Sequence, residues 1–105
     1  MKEIGHWING KHVAGTSGRM ADVFNPATGE VQARVALASK AELDHAVAEA
    51  AKAQVKWAAT NPQRRARVMM RFVDLLNRDM QKLAEALSSE HGKTVPDAKG
   101  DVQRG

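Results

Sequence analysis

The apolar residues change their period at Ser39, and that change limits what the chain can become. Before it they alternate, or cluster briefly between turn residues, as strands require. After it they recur every three to four positions, as helices require. In "HWINGKHV", residues 6–13, two β-prone stretches flank Asn9-Gly10, the pair that best tolerates the two positive φ angles of a type I′ turn. This predicts a hairpin. A Gly/Ser-rich loop, "AGTSGRM", follows. In "DVFNPATGEVQARVALAS", Val23 and Phe24 run into a turn at "NPATGE", and Val31, Ala33, Val35 and Leu37 alternate on the way out, predicting a second hairpin.

Beyond the switch, Ser39 and Glu42 have the spacing of a capping box, and Leu43, Ala46, Val47, Ala50 and Trp57 recur at helical intervals. The spacing predicts an amphipathic helix over 40–59. Thr60-Asn61-Pro62 stops it and starts another, because Asn suits the cap and Pro the first turn. From Pro62 to His91 the positions Met69, Phe72, Leu76, Leu83 and Leu87 mark one apolar face. So long a stretch predicts a break near Asn77 to Asp79, either residue being able to cap the second piece. Gly92 fits the position just past a helix end. Thr94, three residues before Asp97 and followed by Pro96, predicts a further helix that is barely begun at Gly105. There is no internal repeat or low-complexity segment.

Alanine is the commonest of the residues that make up the 43% hydrophobic content, with only two Trp and two Phe among 105 residues, so the core is expected to be thin and to lack a partner surface. With no cysteine, disulfides, thiolate metal sites and a thiol nucleophile are all excluded within these residues. Residues 1–8 have no apolar core of a secretory signal, and no run is long enough for a membrane span, so the soluble cytoplasm is the expected location. A formal charge of +4 permits nucleic-acid binding, but charges of both signs interleave along the helices.

Few motifs survive their ordinary readings. Gly92-Lys93-Thr94 ends like a phosphate-binding loop, but Leu87 stands where that loop needs its first glycine, and a helix precedes it instead of a strand. It reads as a helix stop followed by a helix cap. Of the four histidines, His6, His12, His45 and His91, none lies one helical turn from another. His6 and His12 could face each other across the first hairpin, yet two ligands without a third make a poor metal site. The run "RRARVMMR", Arg64 to Arg71, could meet phosphates, but Val68, Met69 and Phe72 belong to the same stretch, so a solvated helix flank is favoured. Glu85 with Glu90 and Asp97 with Asp101 are ordinary helix-surface pairs. The second is an i,i+4 like-charge contact, unfavourable unless a cation sits beside it. What remains is Arg104, which could grip a carboxylate bidentately.

Taken together, "WINGKHV", "FNPATGEV", "AELDHAVAEAAKAQVKWAAT" and "PQRRARVMMRFVDLLNRDMQKLAEALSSEHGK" resemble the N-terminal segment of the aldehyde dehydrogenase superfamily. The resemblance runs through the whole chain in one order. "GDVQRG", residues 100–105, is similar to the pattern of the coenzyme A-acylating methylmalonate-semialdehyde dehydrogenases. It implies an α/β fold of which this chain is a front piece: two β-hairpins followed by two to four α-helices. Residues 1–39 would form a β-hairpin arm near subunit contacts, and 40–105 the helical part of the nucleotide-binding domain, within one partial domain.

The chemistry implied is oxidation of methylmalonate or malonate semialdehyde by a cysteine thiolate and NAD, the acyl group passing to coenzyme A as propionyl- or acetyl-CoA and the carboxylate leaving as bicarbonate. By the same resemblance Arg104 is the substrate-carboxylate residue and the enzyme a dimer or tetramer. The catalytic and cofactor-binding residues lie further along in the family, so this chain alone is expected to be inactive. Two other classes stay open: a short interaction module that mimics a dehydrogenase arm, and a small basic nucleic-acid binder using Arg64 to Arg71.

Overall fold

In the computed structural model, which describes all of residues 1–105, five strands precede four helices. The strands are β1 (Lys2–Ile4), β2 (His6–Ile8), β3 (Lys11–Val13), β4 (Met20–Phe24) and β5 (Val31–Ala36). The helices are α1 (Lys40–Ala59), α2 (Pro62–Arg78), α3 (Met80–His91) and α4 (Val95–Arg104). The chain divides into two compact units, one of residues 1–23 and 31–60, the other of residues 24–30 and 61–105.

In the first unit β2 and β3 form the expected antiparallel hairpin, with Asn9 at φ 53° and Gly10 at φ 74° making its turn. Both angles lie in the left-handed region, as a type I′ turn demands. The register pairs His6 with Val13 and Trp7 with His12. The two histidines therefore point to opposite faces, and the facing pair that the hairpin could have made does not form. The spacing between them is even, but the turn makes one partner of each pair odd-numbered and the other even-numbered. No group of three potential metal-binding side chains exists anywhere in the chain.

A second sheet has the order β1-β5-β4, and β1 lies parallel to β5 with Lys2 opposite Ala33 and Ile4 opposite Val35. Strand β1 has no signature in the sequence: three residues are too few to show a period. Ala33 of β5 is buried.

Helix α1 starts where the capping box places it. Ser39 Oγ accepts the Glu42 N–H at 3.1 Å, and Glu42 Oε1 accepts the Ser39 N–H at 3.0 Å. The apolar stripe expected on it is largely uncovered, for Leu43, Val47 and Trp57 are all exposed.

In the second unit the turn between β4 and β5 is held by Asn25, whose N–H donates to the Glu30 carbonyl and whose side-chain oxygen accepts from Ala27 N–H. Asn61 caps α2 by accepting the Gln63 N–H at 2.8 Å, with Pro62 in the first turn. The break between α2 and α3 falls at Asp79, inside the expected window. Asp79 holds the cap position, yet its side chain makes no capping bond. Instead both carboxylate oxygens accept from Arg78, at 2.8 and 3.2 Å, an interaction the spacing of caps does not announce. This pairing holds Asp79 below the usual carboxylate range and raises Arg78.

Helix α3 ends at Gly92, φ 87°, and Thr94 caps α4 through the Asp97 N–H. Helices α3 and α4 pack together through small side chains, with Ala84 and Ala98 both buried. Small residues at a helix contact let the axes approach closely.

Those three alanines are the whole buried apolar set. On α2, Val68, Met69, Met70, Phe72, Val73 and Leu75 are all exposed. No helix is long and apolar enough to cross a membrane.

Candidate functional site

Thr94 and Pro96 start α4, and its one full pair of turns carries Asp97, Asp101 and Arg104 on neighbouring rows. Lys93 stands just before the cap, and its direction is fixed from two sides. Gly92 takes the left-handed backbone that ends α3, and Ser88 Oγ donates to the Lys93 carbonyl at 2.6 Å. The Lys93 side chain then runs back along α4. Its ammonium donates to Asp101 Oδ2 and lies 3.7 Å from Asp97 Oδ2. The cation that the Asp97–Asp101 pair needs is therefore present, and sequence spacing alone did not identify it.

Arg104 Nη2 donates to the other oxygen of Asp101, Oδ1. One carboxylate thus joins two cations. Hydrogen bonds from Lys93 first and Arg104 second hold Asp101 below the usual carboxylate range, and the Asp101 bond raises Lys93 above its ordinary value. The three differ in exposure: the Lys93 side chain is 18% exposed, Asp101 30% and Arg104 70%. Only one nitrogen of the Arg104 guanidinium is engaged, so the rest of its fork of donors is open to a planar anion.

Gly92-Lys93-Thr94 is a left-handed helix stop followed by a cap, which leaves no ring of backbone N–H groups to cradle phosphates. Arg64 to Arg71 lie along α2, where the Arg65 Nε is shielded from solvent and without a hydrogen-bond partner. A groove of about 830 Å³ runs along α1 past Ala50, Ala53 and Trp57, with Glu49, Lys52, Lys56 and Thr60 also lining it, and Lys52 donates to Glu49 at 3.2 Å. His6 Nε2 lies 3.4 Å from Glu42 Oε2, close enough for attraction but not aligned as a hydrogen bond. His6 is therefore a half-buried structural residue. The same Glu42 oxygen accepts the Thr16 N–H at 3.2 Å.

The arrangement on α4 offers an exposed, partly engaged arginine beside a carboxylate shared with Lys93. Comparison with known proteins gives it a context. The aldehyde dehydrogenase family model matches residues 12–105. The chain is similar to malonate-semialdehyde dehydrogenase 1 of Shouchella clausii, 39% identical over 105 residues that cover all of this chain and 21% of that one. Among solved structures it is similar to a protein of Sinorhizobium meliloti described as a methylmalonate-semialdehyde dehydrogenase and solved with NAD. That match has 68% identity and a TM-score of 0.96 over 99% of this chain and 21% of the other. A methylmalonate-semialdehyde dehydrogenase of Oceanimonas doudoroffii matches with 42% identity and a TM-score of 0.95, again over 99% and 21%. The chain spans about a fifth of the length of the relatives it matches. With the family model covering nearly every residue and solved members superposing this closely, the chain belongs to the aldehyde dehydrogenase family.

Proposed function

We propose that these residues open a longer NAD-dependent, coenzyme A-acylating dehydrogenase that converts malonate or methylmalonate semialdehyde to acetyl- or propionyl-CoA. The relatives support the reaction class, being described as malonate- and methylmalonate-semialdehyde dehydrogenases. In this reading residues 1–39 serve as a β arm and 40–105 as the helical start of the nucleotide-binding domain. The enzyme is a cytoplasmic homo-oligomer.

NAD, held by residues outside this chain, supplies the acceptor for the hydride. The role proposed for the present residues is narrower. Arg104 binds the substrate carboxylate through the guanidinium donors that Asp101 leaves unused, and so orients the aldehyde end. The observation that carries this role is a permanently charged fork that is 70% exposed and held at a single nitrogen. Such a fork matches a carboxylate in charge and in plane, and orientation by a remote group is a recognised source of rate.

The test is turnover of malonate semialdehyde by the full-length protein with NAD and coenzyme A. Equal amounts of NADH and acetyl-CoA are expected, with turnover depending on coenzyme A. NADH formation that releases a free acid and ignores coenzyme A would remove the acylating assignment.

A further inference from the structure

We propose that Lys93 is a positioning residue for substrate binding, acting on Arg104 through Asp101. The inference rests on the role proposed above for Arg104. An arginine beside a lone carboxylate tends to engage both oxygens, fork on fork. Here Lys93 Nζ draws Asp101 Oδ2 to itself, and Arg104 meets the carboxylate through Nη2 at Oδ1 alone. The guanidinium is thereby steadied without being consumed, and its Nε and Nη1 carry no bond to residues 1–105.

Three features make Lys93 suited to this. It is the least exposed member of the trio, at 18%. Its backbone is fixed by Gly92 and by the Ser88 hydroxyl. Its second neighbour, Asp97 at 3.7 Å, draws the ammonium along the same face of α4. Space for the open edge comes from Gly100: a Cβ placed there would already stand 3.5 Å from Arg104 Nη1, so a longer side chain would crowd it.

Without Lys93, Asp101 would turn both oxygens to Arg104 and compete with the substrate for the same fork. Lys93→Met in the full-length enzyme should therefore raise KM for malonate semialdehyde about tenfold, with kcat little changed. Turnover of propanal, which has no carboxylate, should hold within about twofold and report that the variant is folded. Lys93→Arg, which keeps a cation at Asp101 Oδ2, should restore the KM.

The decisive comparison is made in an Asp101→Asn background, where the competing carboxylate is gone. There Lys93→Met should have no further effect on KM. A full penalty in that background would mean that Lys93 meets the substrate itself, and an equal loss with propanal would mean a structural role. Either overturns the proposal. Arg104→Ala separates the two layers: if it leaves carboxylate selectivity intact, the Arg104 role fails and this inference with it. If it abolishes selectivity while Lys93→Met is silent, only this inference fails.

Discussion

Glu42 bonds to Ser39 and Thr16 with different oxygens, Oε1 accepting the Ser39 N–H at 3.0 Å and Oε2 the Thr16 N–H at 3.2 Å. The residue that completes the cap of α1 thus also pins the loop after β3. These two backbone N–H bonds are the main reason its carboxyl is held below the ordinary value near 4.5. A depressed carboxylate contributes stability above its unfolded pKa and loses it as pH falls through the folded one. Amide exchange at Thr16 should therefore stay slow from neutral pH down to about 5, after correction for intrinsic rates, and quicken below the ordinary carboxylate range. Glu42→Gln should flatten that dependence; an unchanged profile would show that another group controls the loop.

Ser39→Ala removes the other half of the box. The first turn of α1 should open more easily by about 1 kcal/mol, the usual worth of an N-cap. Hydrogen exchange over residues 40–44 of the full-length enzyme reads this directly. Protection unchanged within error would mean that packing by other residues, and not the cap, holds the helix start.

Gly92 and Gly10 both have positive φ, but they should not tolerate change equally. A Cβ on Gly92 would meet Pro26 Cγ at 3.0 Å in addition to the strain of φ 87°, whereas Gly10 at φ 74° has nothing within 4 Å. Gly92→Ala should cost at least about 1 kcal/mol. It should also weaken binding of the acidic substrate, since it turns the backbone from which Lys93 projects. Gly10→Asn should cost only a few tenths of a kcal/mol, because Asn tolerates the left-handed region. Thermal inactivation of the two variants side by side decides it, and equal losses would contradict the structure at the α3 end.

How much of this was legible in the sequence depends on how local each feature is. The bounds of α1, the Asn61-Pro62 start of α2 and the Gly92 stop were readable because caps are set by side chains within three residues of the helix end. Strand β1 was not, because its pairing with β5 joins residues some thirty positions apart and leaves no pattern in three residues. Asp79 stands at the break, but its side chain does not cap α3, since its sequence neighbour Arg78 takes the same oxygens. At the candidate site Arg104 was singled out on a resemblance and on the chemistry of its guanidinium. Lys93 carries no such signal, because Gly92-Lys93-Thr94 reads as a helix stop and cap and its bond to Asp101 crosses a helix end.

The exposed faces lead to a separate prediction. Residues 1–105 produced alone should bind a hydrophobic dye strongly and self-associate at micromolar concentration, because Phe72, Val73, Met69 and Trp57 lie uncovered. Size-exclusion chromatography of that chain is the check. A monodisperse monomer without dye binding would favour the self-sufficient interaction module over the opening of an enzyme.

The most direct test of the function is the substrate selectivity of Arg104→Ala in the full-length enzyme. Loss of a charge-assisted grip on a carboxylate should raise KM for malonate semialdehyde by about 10- to 100-fold. Propanal, having no carboxylate to lose, should be oxidised with kcat/KM within about twofold of the parent. That split would place the substrate carboxylate on Arg104. Equal effects on the two aldehydes would contradict it, and would return Arg104 to the role of a surface partner for Asp101.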